Sequence, residues 1–337
     1  MDAGNPLPRR YFPLSDHYRN RFGCKVYKVS VSTAWSCPNR EGLGGRAVCI
    51  FCDEWGSAAY HETADLGLED QIRINGGRVM ARYGAEKLLV YFQAYTNTFG
   101  SIRELERRFR LALEQPHVAG LVIGTRPDCL PEAMLNLLGE LAEERYLSVE
   151  LGAQTFDDNQ LRYLSRGHDH QSTLRAVERL AAFPAIETCL HLMFGIPGET
   201  PGQLAETAGQ IGSLGVHGVK LHNLHVLKGT PLAAQFGQGT FTPVTLEAYA
   251  ERVIFFLERL SPGVVVHRLN AVASRWEDVV APEWAREKMG PTQYILDQMA
   301  ARPTWQGRLE APGQGEPIPE TWVAQALPAK EKAMGWD

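Results

Sequence analysis

The sequence predicts an α/β fold, a partial barrel of parallel strands followed by a C-terminal α/β extension. Three observations lead there. Six β-rich runs bounded by turn residues alternate with helical stretches, and that order favours a parallel sheet with helices crossing back over it. A closed eightfold barrel would need two more strand–helix units than these six supply. The 337 residues, 44% hydrophobic and 22% charged, can bury a sizeable core and fall outside the disordered and disulfide-scaffold classes.

Residues 1–20 read as an N-terminal arm, with three prolines, Arg9 and Arg10 but no apolar stretch that would begin a secretory signal or a membrane span. No later apolar run approaches the roughly 18 residues a span needs, so a cytoplasmic protein with no membrane partner is expected. The barrel core is assigned to 21–240. Its strands are 25–32 (KVYKVSVS), 87–94, 119–125, 147–154, 186–195 and 216–226, rich in Val, Ile, Leu and aromatic residues. Helices are expected over 69–84, 100–115, 131–145, 157–182 and 200–214; Ser101 before Glu104 and Thr200 before Gln203 have the spacing of N-terminal caps. The extension, 241–310, offers a helix at 245–260, a strand at 263–269 and a helix at 281–301, and 311–337 reads as a loose tail.

The segment 37–52, CPNREGLGGRAVCIFC, directly follows the first strand. Gly42, Gly44 and Gly45 permit positive φ, so the loop can curl and bring Cys37, Cys49 and Cys52 together. With six cysteines and no secretory signal, such a cluster reads first as a metal or redox site. It also lies at the C-terminal end of a strand, where parallel α/β folds carry their chemistry. Structural zinc takes four ligands, and the local fourth would be His61 or Cys24, neither at a recognised spacing. Three cysteines without an obvious fourth suit an iron–sulfur cluster with one iron left open, because clusters normally take four.

Further motifs follow at the ends of later strands: YFQAYTNT (91–98), GTRPDC (124–129), ELGAQT (150–155), SRGHD (165–169), HLMFGIPGET (191–200) and HVLKGTPL (225–232). With the cysteine loop they span about residues 20–305. In combination they resemble the radical S-adenosylmethionine (SAM) superfamily, in the branch related to the Elongator catalytic subunit and the oxygen-independent coproporphyrinogen oxidases. The superfamily usually separates its cysteines by three and two residues; here eleven and two intervene, which is similar to the bacterial YhcC/YtqA-like group.

The resemblance implies a partial (β/α)6 TIM-like barrel holding a four-iron four-sulfur cluster that reductively cleaves SAM to methionine and a 5'-deoxyadenosyl radical. Matched by position, Cys37, Cys49 and Cys52 would be the metal ligands, with the methionine end of SAM on the open iron. Phe51 stands where relatives have an aromatic near the adenine, or shields the cluster. Gln154 and Arg166 match SAM contacts, the arginine suiting the methionine carboxylate by charge and fork geometry. Residues 91–98 replace the Gly-Gly-Glu that usually receives the methionine amino group, which leaves Gln93 or Thr96 to serve. Gly195 with Glu199 matches an adenine-proximal turn. Glu150 and His191 join the cofactor side, although His191 and Gly124 stand where relatives carry acidic residues.

Arg126, Asp128, Cys129, Lys220, His222 and Lys228 also fall at the expected barrel mouth. Lys220 and His222 share one strand face, and Cys189 shares one with His191. Charged groups inside a doubly covered strand need partners or a function. As a group they suggest a polar substrate cavity, with Lys220, His222 and Lys228 as substrate contacts. Cys129 and Cys189 read as core or loop thiols. Elongator relatives modify the tRNA wobble uridine, so the resemblance implies tRNA as partner and conversion of a carboxymethylaminomethyl-uridine to the aminomethyl form. It also implies an electron donor such as flavodoxin or ferredoxin. The net charge of -5 supplies no bulk attraction to nucleic acid, so tRNA would need a local basic surface. Arg78, Arg82, Arg103, Arg107, Arg108 and Arg110 are candidates, diluted by Glu104 and Glu106. The alternatives are a radical SAM oxidoreductase acting on a small metabolite or protein, and a noncatalytic iron–sulfur scaffold or redox sensor.

Overall fold

The chain is seen in a computed structural model that describes residues 9–33, 36–56, 66–273 and 275–310. The expected tail, the first eight residues and His61 lie outside the described residues. Within them the chain runs α1 (Leu14–Phe22), β1 (Val26–Val31), α2 (Leu68–Tyr83), β2 (Lys87–Phe92), α3 (Ile102–Leu113), β3 (Val118–Thr125), α4 (Glu132–Glu144) and β4 (Tyr146–Gln154). It continues through α5 (Asp158–Tyr163), α6 (His170–Ala181), β5 (Ile186–Phe194), α7 (Pro201–Leu214), β6 (Gly218–Asn223), β7 (Val226–Leu227) and α8 (Pro231–Gly237). The last elements are α9 (Leu246–Arg259), β8 (Val265–Arg268), β9 (Val279–Ala281) and α10 (Gly290–Ala300).

Strands pair in the order β1-β2-β3-β4-β5-β6-β8, every neighbour parallel, so the sheet follows chain order and curls into a half-barrel. Side chains alternate between its two faces. The outer set, including Val90, Phe92, Leu121, Ile123, Val149, Leu151, Leu190 and Leu221, packs under Phe109, Met134, Leu138, Val177, Ile211 and Phe256 of the surrounding helices. The inner set changes character along the barrel axis. At the bottom Val26, Leu89, Val122 and Tyr146 enclose Tyr18 of α1. Above them the inner positions turn polar.

Several expectations shift. The segment expected as an N-terminal arm carries a helix over residues 14–22: α1 closes the barrel bottom through the Tyr18–Tyr146 and Phe22–Tyr146 edge contacts, with ring centroids 6.1 and 5.2 Å apart. The expected helix 157–182 is broken at 164–169, where Ser165 (φ 54°) and Gly167 (φ 70°) adopt left-handed backbone and Asp169 caps α6 from a fresh start. The expected strand 216–226 ends at Asn223; β7 turns away to pair antiparallel with β9. The strand expected at 263–269 pairs with β6 as the seventh strand of the described sheet, so part of the extension belongs to the barrel. Residues 281–289 form the end of β9 and a short 3-10 turn, and α10 starts only at Gly290. Thr200 and Gln203 form the full capping box, whereas the Ser101 side chain makes no capping hydrogen bond, and the Glu104 carboxylate pairs with Arg107 and Arg108 instead of reaching back to the Ser101 amide. No helix among the described residues is long and apolar enough to cross a membrane.

Candidate active site

The cysteine loop curls as its glycines suggest. Gly42, Gly44 and Gly45 have φ of 65°, 64° and 72°, and Cys37 and Cys49 open tight turns whose carbonyls accept from the amides of Arg40 (2.9 Å) and Cys52 (3.0 Å). The result places Cys37, Cys49 and Cys52 on one wall of a cavity above β1–β6. Three side chains aim N–H groups at these sulfurs: Asn39 Nδ2 lies 3.5 Å and Arg166 Nη1 3.4 Å from Cys49, and Arg40 Nη2 lies 3.4 Å from Cys52. Cationic donors suit thiolate acceptors and are among the levers that tune a cluster's potential. Burial, then neighbouring Cys49, pushes the Cys52 thiol up to about 12, so a metal is what would make this group ionise.

Among the described residues, the group of three potential ligand atoms lying within 4.8 Å of one another is Glu150, Cys189 and His267, not the loop thiols. A single ion with bonds of about 2.3 Å needs its sulfurs close together, whereas a cluster lets each thiolate hold a different iron. Cys24 is no fourth ligand, since it packs beside α1 at the opposite end of β1. The donor set therefore fits a cluster better than zinc.

Arg166 stands between the thiols and the strand ends. Its Nη2 donates to the Gly152 carbonyl at 2.9 Å, and its Nε is buried with no partner among the described residues. A Cβ on Gly152 would lie 2.9 Å from that Nη2, so the arginine's seat requires glycine there. Gln154 (φ 68°), Phe51, Gln93 and Thr96 line the same cavity, Gln93 accepting from Ser30 Oγ at 2.8 Å. Gly195 does not line it: its N–H donates to Glu199 Oε2 at 3.1 Å, and Glu199 pairs at 2.6 Å with buried Arg252. Burial raises the Glu199 carboxyl to about 7, with that guanidinium and the Gly195 amide opposing.

Below the thiols the inner strand positions converge on Glu150, which is fully buried. Its oxygens accept from Lys28, Lys220 Nζ (2.8 Å), Tyr91 Oη (2.7 Å), His191 Nε2 (2.7 Å) and His267 Nδ1 (3.2 Å). Burial alone would neutralise Glu150, but Lys220 and Lys28 hold it well below the usual carboxylate range. Burial lowers Lys220 to about 8 despite Glu150, and burial with Lys220 keeps His191 neutral, down to about 3. Glu150 and His191 both line the cavity and bond each other, and Glu150 also holds the two lysines. The same crowd of ammonium groups disfavours a metal at the Glu150, Cys189 and His267 group.

Lys220 and His222 do face the cavity, as period two implies. Lys228 does not; it is exposed, with Nζ 4.0 Å from Asp278. Arg126 pairs with Asp128 at 2.9 Å, and Cys129 is buried beside them, its thiol pushed up to about 12 by burial and Asp128. On α3, Arg107 and Arg108 both pair with Glu104 and Arg110 with Glu106 and Glu144, which compensates most of that basic patch. Sequence reasoning missed Lys28, Asn39, Arg40, His267 and Arg268. Lys28 lay inside an alternating strand and invited the argument made for Lys220; His267 and Arg268 were hidden because their strand was assigned outside the barrel.

The radical SAM superfamily profile matches residues 37–211, and the Radical_SAM C-terminal domain profile matches 216–301. The chain is 34% identical over 313 residues to YtqA of Bacillus subtilis (strain 168), covering 91% of this chain and 97% of that one. A shorter stretch of 132 residues is 30% identical to a tRNA uridine(34) acetyltransferase of Dehalococcoides mccartyi, covering 38% of this chain and 28% of that one. The fold is similar to an N-terminally deleted archaeal Elp3 of Methanocaldococcus infernus, with a TM-score of 0.63 at 19% identity, covering 82% of this chain and 63% of that one. With its cysteine loop, barrel and C-terminal strand all inside these matches, the chain belongs to the radical SAM superfamily, whose enzymes use a four-iron four-sulfur cluster and SAM, in the branch that includes YtqA.

Proposed function

We propose that this radical SAM enzyme acts on a tRNA wobble uridine, converting a carboxymethylaminomethyl-uridine to the aminomethyl form: with SAM as the two-electron oxidant, the methylene beside nitrogen would reach the imine level, and water would split the imine into the aminomethyl-uridine and glyoxylate. The observation that carries the reading is one cavity with the three thiols on one wall and Lys220, His222 and Arg268 on another. Cys37, Cys49 and Cys52 would hold the cluster, and Asn39, Arg40 and Arg166 would donate to its sulfur ligands. Cluster and SAM together supply an electron and a hydrogen-abstracting carbon radical. Arg166 has an unpartnered Nε beside Cys49 and is the group to hold the methionine carboxylate; Gln93 or Thr96 would meet the amino group and Phe51 the adenine. Glu150 holds the two lysines in place beneath the substrate and keeps Tyr91 and His191 oriented.

The sequence match to a tRNA uridine(34) acetyltransferase favours a wobble base as target. Such a base would have to leave the anticodon stack to reach a cavity this deep. An electron donor such as flavodoxin or ferredoxin would complete the cycle. The test incubates the reduced, cluster-loaded enzyme and SAM with tRNA carrying the carboxymethylaminomethyl group. Formation of 5'-deoxyadenosine together with aminomethyl-uridine supports the reading. Deoxyadenosine with an unchanged nucleoside, and a normal wobble-nucleoside profile in deletion cells, would replace the tRNA with a small substrate.

A further inference from the structure

Charge around the cavity does not balance. Glu150 already faces two lysines, and its two oxygens accept from five side chains, which exceeds the roughly four lone-pair positions a carboxylate offers. The second carboxylate lining the cavity is Asp53, which holds Arg40 through its carbonyl and accepts from the Trp55 amide at 3.2 Å through Oδ1; Asp128, outside it, is committed to Arg126 and Arg46. Arg268, at the end of β8, lines the same cavity, and among the described residues no carboxylate forms an ion pair with it. Its Nε donates to the Leu221 carbonyl at 3.3 Å and its Nη2 to His222 Nδ1 at 2.6 Å, which leaves Nη1 uncommitted. Burial, then Arg268 itself, holds His222 well below its ordinary value, so the imidazole stays neutral and accepts from the guanidinium.

A second arginine repeats the pattern. Arg275 lines the cavity with its guanidinium 4.3 Å from the Trp55 ring, and its Nη1 is buried without a hydrogen-bond partner among the described residues. An arginine fork that is desolvated but unpaired costs free energy until an anion fills it. The SAM carboxylate already has Arg166 beside the thiols. That residue follows β4, and β8 stands three strands away, about 14 Å at the usual interstrand spacing.

We propose that Arg268, braced by His222 and joined by Arg275, is an anion-binding subsite for the substrate, and that the group it takes is a carboxylate. The inference rests on the wobble-uridine reading for its natural ligand, the carboxylate of the carboxymethyl group. It reassigns the anchoring role expected of Lys220 and Lys228: the first is spent on Glu150 and Tyr91, and the second lies outside the cavity. Held at Arg268, the carboxylate would point its neighbouring methylene back across the cavity towards the thiol wall.

The test measures equilibrium binding of carboxymethylaminomethyl-uridine and of its methyl ester to the cluster-loaded, SAM-bound full chain. The wild type should prefer the acid by about ten- to a hundredfold, as expected for a charge-assisted contact. Arg268→Gln should erase that preference while iron content and SAM affinity stay unchanged, and Arg268→Lys should restore part of it. A preference that persists in Arg268→Gln, or is absent from the wild type, overturns the subsite. If neither free nucleoside binds, the tRNA incubation still decides the wobble-uridine reading, and titrations with acetate and inorganic phosphate decide the subsite separately. Acetate binding that Arg268→Gln abolishes upholds it; phosphate alone overturns the carboxylate assignment, and no anion binding overturns it altogether. Should Arg268→Gln lose its iron, Arg275→Gln gives the second reading: a severalfold loss of acid preference supports the subsite, and none overturns it.

Discussion

Arg166 and Glu150 show how single side chains acquire meaning from what surrounds them. Arg166 has one N–H towards Cys49 Sγ at 3.4 Å, another on Gly152 and a buried Nε with no partner among the described residues, so its donors are not all used by the fold, and the SAM-binding role proposed for it can be tested. Arg166→Ala should keep its iron but lose SAM affinity by about ten- to a hundredfold, the value of a charge-assisted contact near 1.5–3 kcal/mol. Titration of the reconstituted protein checks this; unchanged SAM affinity would refute the role. Glu150 acts structurally first. Glu150→Gln leaves Lys28 and Lys220 buried without their anion and should cost about 3–5 kcal/mol in denaturant melts. Adding Lys220→Met should recover part of the loss, because one unpaired cation is then gone, whereas simple additivity of the two losses would show that the pair is not coupled.

Among the elements, the break between α5 and α6 matters most. Without it Arg166 would lie mid-helix; with it, Ser165 and Gly167 turn the chain so that Ser165 O accepts from Asn39 at 2.7 Å and Arg166 reaches the cysteines. A Cβ on Gly167 would sit 2.9 Å from Asn39 Oδ1 and 3.0 Å from Arg46 Cδ, and the left-handed backbone adds about 1–2 kcal/mol of strain. Gly167→Ala should therefore lower the melting midpoint by a few degrees and, by displacing Asn39 from Cys49, release iron faster in air. Unchanged iron retention would separate the turn from the cluster site. β8 makes the matching point at the other edge of the sheet. By pairing with β6 it brings Arg268 and His267 into a barrel that six strands would have left without them.

Across the molecule, five partly buried histidines at the barrel mouth and within it, His168, His191, His222, His225 and His267, govern the response to acid, and burial lowers His168 to about 4. Burial, reinforced by nearby cations, lowers His191 to about 3 and His267 to about 4, and lowers His225 to about 4 and His222 well below 6.5. Because these folded values lie under the unfolded value of 6.5, the unfolded chain binds more protons between about pH 4 and 6.5. Their contribution is complete above pH 6.5 and is lost as pH falls towards 4. Glu199, raised to about 7, works in the opposite sense between about 4.5 and 7, one group against the five histidines. Net stability should drop by a few kcal/mol between pH 7 and 5, at up to about 1.4 kcal/mol per pH unit for each histidine. Urea midpoints across that range check it, and a flat profile would show that these histidines are charged in the folded protein.

What the sequence determined by itself was whatever depends on local order. Alternation of apolar runs with helical periods set the parallel sheet, Gly42, Gly44 and Gly45 announced a curling loop, and Thr200 with Gln203 announced a helix start that forms as read. The three thiols on one cavity wall and the pairing of Lys220 with His222 on one strand face were legible for the same reason, since loop glycines and period two act over a few residues. Only the tertiary structure decided which distant groups share a charge. Lys28 on β1 meets Glu150 on β4, Asn39 meets a carbonyl between α5 and α6, and Arg268 enters the cavity because β8 completes the sheet. No local signal could expose these pairings, because the free energy of a buried ion depends on every element that removes water from it, and those elements are far apart along the chain.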